Sequence, residues 1–402
     1  MARASCRRGR SWLALWALQA ACAPNDDQHP EPSSSASQST STANTTGGVS
    51  STSTANTTGA ANTTSDTESS SGVDTMGAAE AAGGSGAFAG SGGVPGTSGS
   101  GATAGEAMLG ELTLYYLDVT EDRVMALATD GGPPELVVEG AGDGPDGIAV
   151  DAAAGHLYWT NMGVPADDDG FILRSDLDGS DVRTIVDPGD TYTPKQLKLD
   201  LGAGKLYWGD REGMQVMRSN LDGSELEVLV TIAEGPAARQ DRSNHAVGVA
   251  VDAAGGYFYW IQKGAPNGGE GSIRRAQLVT PDGEDDRTRT DIEVLYAGLP
   301  EPIDLDLDVA AGMMYWTDRG DATINRAPIE VPEGAGPDTR EDREVLVDGV
   351  EVAIGVWLDL PAGHVYYTGT NVVARVDLDG RNDTVLVQGA GILTGITGAR
   401  RP

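Results

Sequence analysis

A single pattern recurs along residues 111–402 and limits the folds that this chain can adopt. A Tyr lies within a short apolar segment six times, at positions 115, 158, 207, 259, 315 and 366. The intervals between successive copies are 43, 49, 52, 56 and 51 residues. In the last five copies, an Asp precedes the Tyr by seven residues and a Gly precedes it by three. Copies at one spacing indicate a repeat protein with a structural unit of about 50 residues.

Each unit is predicted to contain four antiparallel strands. The first strand has an apolar residue at every second position and runs up to the Asp, as in GVAVD (248–252), and the Tyr strand follows it. The third strand places an aliphatic residue two positions before an Arg, as at Ile324 and Arg326. An Asp-Gly turn such as DLDGS (176–180) then leads to a fourth strand, because such turns favour hairpins.

Units of this length and strand number are typical of the blades of a β-propeller. The first unit begins directly with its Tyr strand, LTLYYLD (112–118), whereas the C-terminal segment GILTGITG (391–398) has no partner within its own unit. The sequence therefore predicts an all-β fold, a six-bladed β-propeller of four-stranded antiparallel blades over residues 111–402. Pairing of the C-terminal strand with the N-terminal blade is expected to close the ring and to remove an open sheet edge.

These motifs resemble the YWTD repeats, or class B repeats, of the low-density-lipoprotein receptor family. The Tyr-Trp-Thr-Asp sequence is intact at 315–318 and degenerate in the other units. The preceding Asp, the Ile-x-Arg strand and the Leu-Asp-Gly turn accompany it, so the resemblance covers residues 111–402. It implies a six-bladed propeller whose motif residues are structural and whose variable loops contact partners. The resemblance therefore implies a fold without identifying a ligand.

The repeated residues are accordingly predicted to be scaffolding. The aromatic pairs are expected to pack between neighbouring blades, and the alternative for Tyr207 and Trp208 is carbohydrate stacking. The Asp seven residues before each Tyr is expected to cap a turn rather than to join a carboxylate cluster, and Asp210 is expected to accept backbone hydrogen bonds. The predicted structural residues are Asp151, Tyr158, Trp159, Asp200, Tyr207, Trp208, Asp252, Tyr259, Trp260, Asp308, Tyr315, Trp316, Asp359 and Tyr366.

The N-terminal segment is predicted to be an export signal. Four Arg residues precede the apolar run WLALWALQAA (12–21), which is too short to span a bilayer as a helix. Ala20 and Ala21 before Cys22 are similar to the lipobox of bacterial lipoproteins. Residues 1–22 are therefore predicted to be the signal peptide of an exported bacterial lipoprotein with a lipidated Cys22, and ordinary cleavage near Ala21 is the alternative.

Composition predicts the environment of the chain. Residues 23–110 are expected to form a disordered spacer, because Ser, Thr, Gly, Ala and Asn dominate and few apolar residues are present to form a core. The only cysteines are Cys6 and Cys22, so the propeller is predicted to be free of disulfides. The net charge of −33 makes nucleic acid and anionic lipid poor partners. We therefore expect a location at the outer envelope or cell surface, with membrane contact only through the lipid anchor.

The irregular loops predict where a ligand binds. The predicted topology places the insertions 161–170, 187–196, 231–245 and 262–271 on one face, and loops on a rigid scaffold usually carry binding. Two acidic insertions, 279–292 and 329–343, are expected on the opposite face. The favoured function is a binding module for a protein or glycan at the cell surface, without catalysis and without a cofactor.

The alternative function is a calcium-dependent hydrolase similar to the gluconolactonases, since some six-bladed propellers hold a metal in the central channel. Hard oxygen ligands suit Ca²⁺. A second candidate calcium loop is ADDDG (166–170), and Lys198 is an alternative partner for Asp306 across the channel. The sequence contains no phosphate loop, no Cys/His metal spacing and no nucleophile elbow. The residues predicted near the channel are Asp146, Asn244, His245, Glu301, Asp304 and Asp306.

Overall fold

The computed structural model describes residues 110–165 and 167–400. The predicted signal peptide, Cys22 and all but the last residue of the predicted spacer lie outside the described residues. Strands dominate the described part, and the short helix α1 (Gly235–Ala238) and a 3₁₀ turn (Arg242–Asn244) lie in one loop. Among the described residues, no helix is long and apolar enough to cross a membrane.

The strands pair in antiparallel sheets that follow the predicted repeat. In chain order the strands are β1 (Leu112–Asp118), β2 (Arg123–Ala128), β3 (Glu135–Glu139), β4 (Pro145–Asp151), β5 (His156–Asn161), β6 (Phe171–Asp176), β7 (Arg183–Val186), β8 (Pro194–Asp200), β9 (Lys205–Asp210), β10 (Gln215–Asn220), β11 (Glu227–Thr231), β12 (Ala246–Asp252), β13 (Tyr257–Gln262), β14 (Gly271–Gln277), β15 (Glu293–Leu299), β16 (Pro302–Asp308), β17 (Met313–Asp318), β18 (Thr323–Pro328), β19 (Glu344–Val347), β20 (Val356–Asp359), β21 (His364–Asp377) and β22 (Thr384–Arg400). Strands β4–β7, β8–β11, β12–β15 and β16–β19 each form a four-stranded blade. The other six strands form one sheet in the order β20-β21-β22-β1-β2-β3.

The part of the chain that the structure describes therefore shows four separate four-stranded blades rather than the predicted six. The difference lies in the six-stranded sheet, where β21 and β22 contain 14 and 17 residues. Connections at Asn371 and at Gly389 to Gly391 are short and use positive φ angles of 59°, 85° and 88°, so segments that are separate strands elsewhere run together here. The predicted pairing of the C-terminal strand is present, because β22 pairs with β1 from Arg400 opposite Leu112 onwards.

The innermost strands contact one another in a closed ring. The order around the ring is β22, β4, β8, β12, β16, β20 and again β22. Backbones approach directly in this ring, since a Cβ atom added at Gly395 would lie 2.6 Å from the carbonyl oxygen of Asp146. At Gly147 an added Cβ would lie 2.6 Å from the Cα of Gln196. The described strands thus have a propeller arrangement around a narrow central channel.

The repeated aromatic residues are buried between the strands. Each of the repeated Tyr and Trp side chains is at most 6% exposed, and Tyr207 and Trp208, at 2% and 0%, present no ring face for carbohydrate. In three units, a Thr two residues after the Tyr links adjacent inner strands. The Thr317 hydroxyl accepts a hydrogen bond from the Asp304 N–H at 3.0 Å and donates one to the Ile354 carbonyl at 2.7 Å. These contacts are structural, as the repeat predicted.

The repeated Asp residues cap turns in four of the five units. Asp151 Oδ1, for example, accepts hydrogen bonds from the N–H groups of Ala153 and Ala154 at 3.1 and 2.9 Å. Asp359 instead forms an ion pair with Arg400 at the end of β22. The capping residues are Asp151, Asp200, Asp252 and Asp308. The predicted turn-capping role is thus confirmed for these four.

The two acidic insertions cover the outer edges of neighbouring blades. The carbonyl of Asp286 accepts a hydrogen bond from the Thr231 N–H at 2.9 Å, and the carbonyl of Pro337 accepts one from the Ala297 N–H at 2.8 Å. The donors lie at the end of β11 and within β15, which are the outermost strands of their blades. Open strand edges invite association with other chains, so we infer that these insertions protect two of the edges.

Candidate functional site

Loops at the end of the propeller where the inner strands begin contact one another. The Gly170 N–H donates a hydrogen bond to the Tyr192 carbonyl at 3.2 Å, which joins the loop 161–170 to the next blade. The guanidinium of Arg239 lies 4.1 Å from the centroid of the Tyr192 ring, which joins a third loop. We call this continuous surface, formed by residues 161–165, 167–170, 187–196, 231–245 and 262–271, the loop face.

Basic side chains gather at the point where the central channel opens on the loop face. They surround a cavity of about 20 Å³ together with three aliphatic side chains. This arrangement is unexpected in a chain with a net charge of −33. We call this space the mouth cavity, and its lining residues are Lys195, Arg211, Lys263, Arg319, Val247, Ile303 and Ile354.

Three of the four basic residues occupy the same position in the repeat. Each follows its Tyr by four residues and lies directly beyond the Tyr strand. The backbone N–H of each residue donates a hydrogen bond, 2.9–3.1 Å long, to a carbonyl just ahead of the inner strand of its blade. The donor and acceptor residues are Arg211 with Thr193, Lys263 with His245, and Arg319 with Glu301. The repeat geometry therefore carries these side chains to the mouth of the channel.

Glu301 is shared by two of the cations. Its Oε1 lies 2.7 Å from Lys263 Nζ, and its Oε2 accepts a hydrogen bond from Arg319 Nε at 3.0 Å. Although burial acts in the opposite direction, Lys263 and Arg319 hold the pKa of Glu301 below its usual value. Burial lowers the pKa of Lys263 to about 7, with Glu301 opposing this effect and Arg319 adding to it. Glu301 is therefore an ion-pair partner.

A second buried ion pair lies on the other side of the mouth cavity. Lys195 Nζ lies 2.6 Å from Asp146 Oδ1, and Asp146 Oδ2 accepts a hydrogen bond from Gln196 Nε2 at 3.1 Å. Burial lowers the pKa of Lys195 to about 8, Asp146 opposes this effect and Arg211 adds to it. Both oxygens of the Asp146 carboxylate are thus engaged.

Below the mouth cavity, an ion pair crosses the channel. Lys198 Nζ lies 3.4 Å from Asp306 Oδ2 and also donates a hydrogen bond to the Val356 carbonyl at 3.4 Å. These residues come from three different inner strands, so the predicted pairing of Lys198 with Asp306 is confirmed. The Asp304 carboxylate accepts hydrogen bonds from the N–H groups of Leu305 and Val356 at 2.8 and 2.9 Å.

Asn244 and His245 stabilise the loop beside the channel. Asn244 Nδ2 donates a hydrogen bond to the Ala238 carbonyl at 3.0 Å. His245 Nε2 lies 2.9 Å from the Arg239 carbonyl, so this nitrogen carries the proton and donates it. In the predicted calcium loop, a carboxylate oxygen is likewise hydrogen-bonded within the loop, because Asp169 Oδ1 accepts a hydrogen bond from the Val164 N–H at 2.7 Å.

The predicted channel residues do not fit a calcium ion. Calcium needs several oxygen ligands that converge on one point. Within residues 110–165 and 167–400, no three His, Cys, Asp or Glu side chains cluster in this way. Ammonium and guanidinium groups instead occupy the oxygens of Asp146 and Glu301, while backbone N–H groups occupy those of Asp304. The oxygen atoms of these carboxylates are therefore engaged in ion pairs and backbone hydrogen bonds.

Asp318, next to the mouth cavity, is expected to make stability depend on pH. Its Oδ1 accepts hydrogen bonds from the N–H groups of Glu301 and Gly320, whereas its buried Oδ2 has no hydrogen-bond partner. Burial, assisted by Asp321, raises the pKa of Asp318 to about 7. Because the folded state then holds a proton that the unfolded chain releases near pH 4, this contribution to stability is lost as the pH rises from about 4 to about 7.

Replacing Asp318 with Asn should make that loss disappear. We expect the free energy of unfolding, measured in urea between pH 4 and pH 8, to fall less steeply for Asp318→Asn than for the wild type. The matched control is Asp291→Asn, because hydrogen bonds from Arg289, with Nε at 2.9 Å, hold the pKa of Asp291 below its usual value, so this residue does not contribute to the loss above pH 4. This variant should be less stable at every pH. Parallel curves for the wild type and Asp318→Asn would contradict the assignment.

Comparisons with known sequences identify similar chains. No family model matches this sequence. The chain is 41% identical over 285 residues to the low-density lipoprotein receptor-related protein 1 of Pyricularia oryzae, which covers 68% of this chain and 91% of that protein. It is 36% identical over 255 residues to the 3-hydroxyacyl-CoA dehydrogenase-like protein LAM1 of Cochliobolus heterostrophus, covering 60% of this chain. This chain spans only 53% of the second protein. Both relatives are fungal and give no support to a bacterial lipoprotein origin.

A solved structure with the same fold is the crystal structure of a nidogen/laminin complex. The superposition has a TM-score of 0.55 and covers 72% of this chain and 98% of the matched chain. Sequence identity is 20%, so this likeness concerns the fold alone. It agrees with the propeller arrangement of the described strands.

Proposed function

This chain belongs to the family of low-density-lipoprotein-receptor-related YWTD propellers, and we propose that it is a binding module for a protein ligand rather than an enzyme. The observation that carries the proposal is the contrast between the repeated residues and the loops. The repeated Tyr, Trp and Asp residues are buried or cap turns, so they are committed to the scaffold. The loop face is irregular in sequence, and rigid scaffolds usually bind through such loops.

We infer that the six-stranded sheet comprises two blades, which gives six in all. The Leu378 N–H donates a hydrogen bond to the Gly363 carbonyl at 2.9 Å, so β21 folds back on itself at Asn371. Ile329 and Gly312 form the equivalent bond, at 2.8 Å, between two strands of a separate blade. The closed ring of six inner strands supports the same count.

A protein ligand is favoured over a glycan. Carbohydrate sites commonly use exposed aromatic faces, and the repeated Tyr and Trp rings are buried. The nidogen/laminin structure contains a propeller of this fold in a complex between proteins, which supports the same choice.

We also propose that the chain is exported and anchored through Cys22, on the strength of the arginines and the apolar run 12–21. Mass spectrometry of the mature N-terminus tests that proposal, and a chain that retains residues 1–22 would refute it.

The binding proposal is tested by blocking one face at a time. The full chain with Cys6→Ser and Cys22→Ser receives either Asp190→Cys, which is exposed on the loop face, or the matched control Asp282→Cys, which is exposed on an insertion of the opposite face. Each cysteine is coupled to a polyethylene glycol maleimide. The probe is a set of peptides selected from a random phage library on the unlabelled protein.

We expect the label at position 190 to weaken peptide binding at least about tenfold, which corresponds to about 1.4 kcal/mol, and the label at position 282 to change it little. Equal effects of both labels would contradict docking on the loop face. Failure to select any binding peptide, together with binding on a glycan microarray, would replace the protein ligand with a glycan.

A further inference from the structure

We propose that the mouth cavity is a binding site for a small monovalent anion of the halide class. The proposal depends on the lining of the cavity and on its size, and it holds whether or not a protein ligand docks on the loop face. The cations Lys195, Arg211, Lys263 and Arg319 face this space together with aliphatic side chains, and no carboxylate lines it.

The carboxylates nearby are directed to individual cations. Glu301 contacts Lys263 and Arg319, as described above, while Glu212 lies 2.6 Å from Arg211 Nε. Because these carboxylates do not line the cavity, its surface offers N–H donors and hydrocarbon but no carboxylate acceptor. Such a surface attracts an anion and repels a metal ion.

The basic side chains are also too buried for water to screen their repulsion fully. Lys195 and Lys263 are only 4% and 6% exposed. The pKa of each is lowered mainly by burial, and the positive charge of Arg211, joined at Lys263 by that of Arg319, acts in the same direction. Buried charges are stable only when they are compensated, so an added anion would relieve repulsion that the surrounding carboxylates leave in place.

The size of the cavity selects the anion. A space of about 20 Å³ holds one occupant of roughly the size of a water molecule, so phosphate, sulfate and organic acids are too large without rearrangement. Val247, Ile303 and Ile354 provide an apolar wall. An apolar wall favours weakly hydrated chloride or bromide over strongly hydrated fluoride, because fluoride loses more hydration on entering.

Such an anion would hold several blades together. The lining residues come from β8 and β12, from the segments just after β9, β13 and β17, and from β16 and the segment just before β20. One negative charge at this point would contact side chains from several blades around the channel. We therefore expect the anion to stabilise the propeller as well as to bind to it.

The primary test is chloride NMR on the full chain. The broadening of the chloride signal is titrated with sodium chloride against sodium gluconate at constant ionic strength. We expect saturable broadening that bromide reverses and fluoride does not. Lys263→Gln and Lys195→Gln should each weaken chloride binding at least about tenfold, since hydrogen bonds to charged groups are strong.

The matched control is Lys205→Gln. Lys205 is also ion-paired, with its Nζ 3.0 Å from Glu225 Oε2, but it is less buried than the two cavity lysines and does not line the mouth cavity. This variant should leave chloride affinity unchanged within about twofold. Equal effects of all three substitutions, or broadening that does not saturate, would overturn the proposal.

If a lysine variant does not fold, crystals of the wild-type protein soaked in sodium bromide test the anion site instead. Bromide scatters anomalously, so a bound ion gives a peak that water cannot produce. A peak within the mouth cavity of the wild-type protein is expected. The absence of a peak there, with peaks only on exposed surfaces, would refute the site.

Discussion

A chain that ends at Gln388 is expected to lose its cooperative unfolding transition. The truncation removes the half of β22 that pairs with β1 and that contacts the inner strands β4 and β20. It also removes Leu393 and Ile396, which are 0% and 3% exposed, from the core around β1. The ring of inner strands would then be open and the edge of β1 would be unpaired, which favours association between chains. Thermal unfolding followed by circular dichroism measures the result.

A smaller change at the same place separates ring closure from the loss of residues. An Ala side chain at position 395 would place its Cβ 2.6 Å from the Asp146 carbonyl oxygen and 2.7 Å from the Ile148 nitrogen, and both are backbone atoms. We expect Gly395→Ala to cost about 1–3 kcal/mol or more, because neither backbone can move without disturbing the ring. The matched control is Gly132→Ala, where an added Cβ meets nothing within 4 Å. A truncated chain that melts like the intact protein would show that the C-terminal strand does not close the fold.

The repeat made most of the architecture predictable. Asp-to-Tyr and Gly-to-Tyr spacings are properties of a local hairpin, so they can be read without knowing how blades assemble. The first unit lacks its innermost strand, and the segment around Ile396 has no partner within its own unit. These two features predicted that the C-terminal strand pairs with the first blade, and β22 does pair with β1. Burial of the Tyr and Trp side chains followed from the same pattern.

The division into separate sheets was not predictable from the repeat. It depends on the lengths of two connections, at Asn371 and near Gly389, which join segments that are separate strands in other units. A change of two residues in a turn leaves the hydrophobic pattern intact, and yet it decides whether two strands are distinct. Local patterns therefore predicted the strands but not their grouping.

The candidate site was predicted only in part. The predicted metal ligands are carboxylates, and two of them, Asp146 and Glu301, do lie at the mouth of the channel, but the prediction does not include their basic partners. A signal was present, since three of the four basic residues that line the mouth cavity share the position four residues after the repeated Tyr. Other units place Met162 or Thr370 at that position, so no single unit indicates a site. Only the closed ring brings residues that are about 50 positions apart around one cavity.

The four repeated Trp residues are expected to be the core positions at which substitution lowers stability the most. The size of that loss should depend on whether the indole N–H has a hydrogen-bond partner. All are at most 1% exposed, and replacement by Ala should cost about 3–5 kcal/mol each. Trp159 Nε1 donates a hydrogen bond to the Ala141 carbonyl at 2.9 Å, and Trp208 Nε1 donates one to Thr191 Oγ1 at 3.1 Å. Among the described residues, the buried Nε1 atoms of Trp260 and Trp316 have no hydrogen-bond partner.

Replacement by Phe isolates that difference, because the ring is largely kept and the N–H is removed. Trp159→Phe removes the shorter of two hydrogen bonds to the Ala141 carbonyl, which keeps the one from Asn161 Nδ2 at 3.3 Å. It should cost about 0.5–1.5 kcal/mol more than Trp316→Phe, which instead removes an unpaired buried donor. Urea denaturation of both variants, with m-values compared to confirm a common unfolded state, measures the difference. Equal costs would mean that the two indole N–H groups are equally satisfied in solution. An ordered water molecule at Trp316 Nε1 would then be the physical explanation, because water can replace a protein acceptor at buried polar groups.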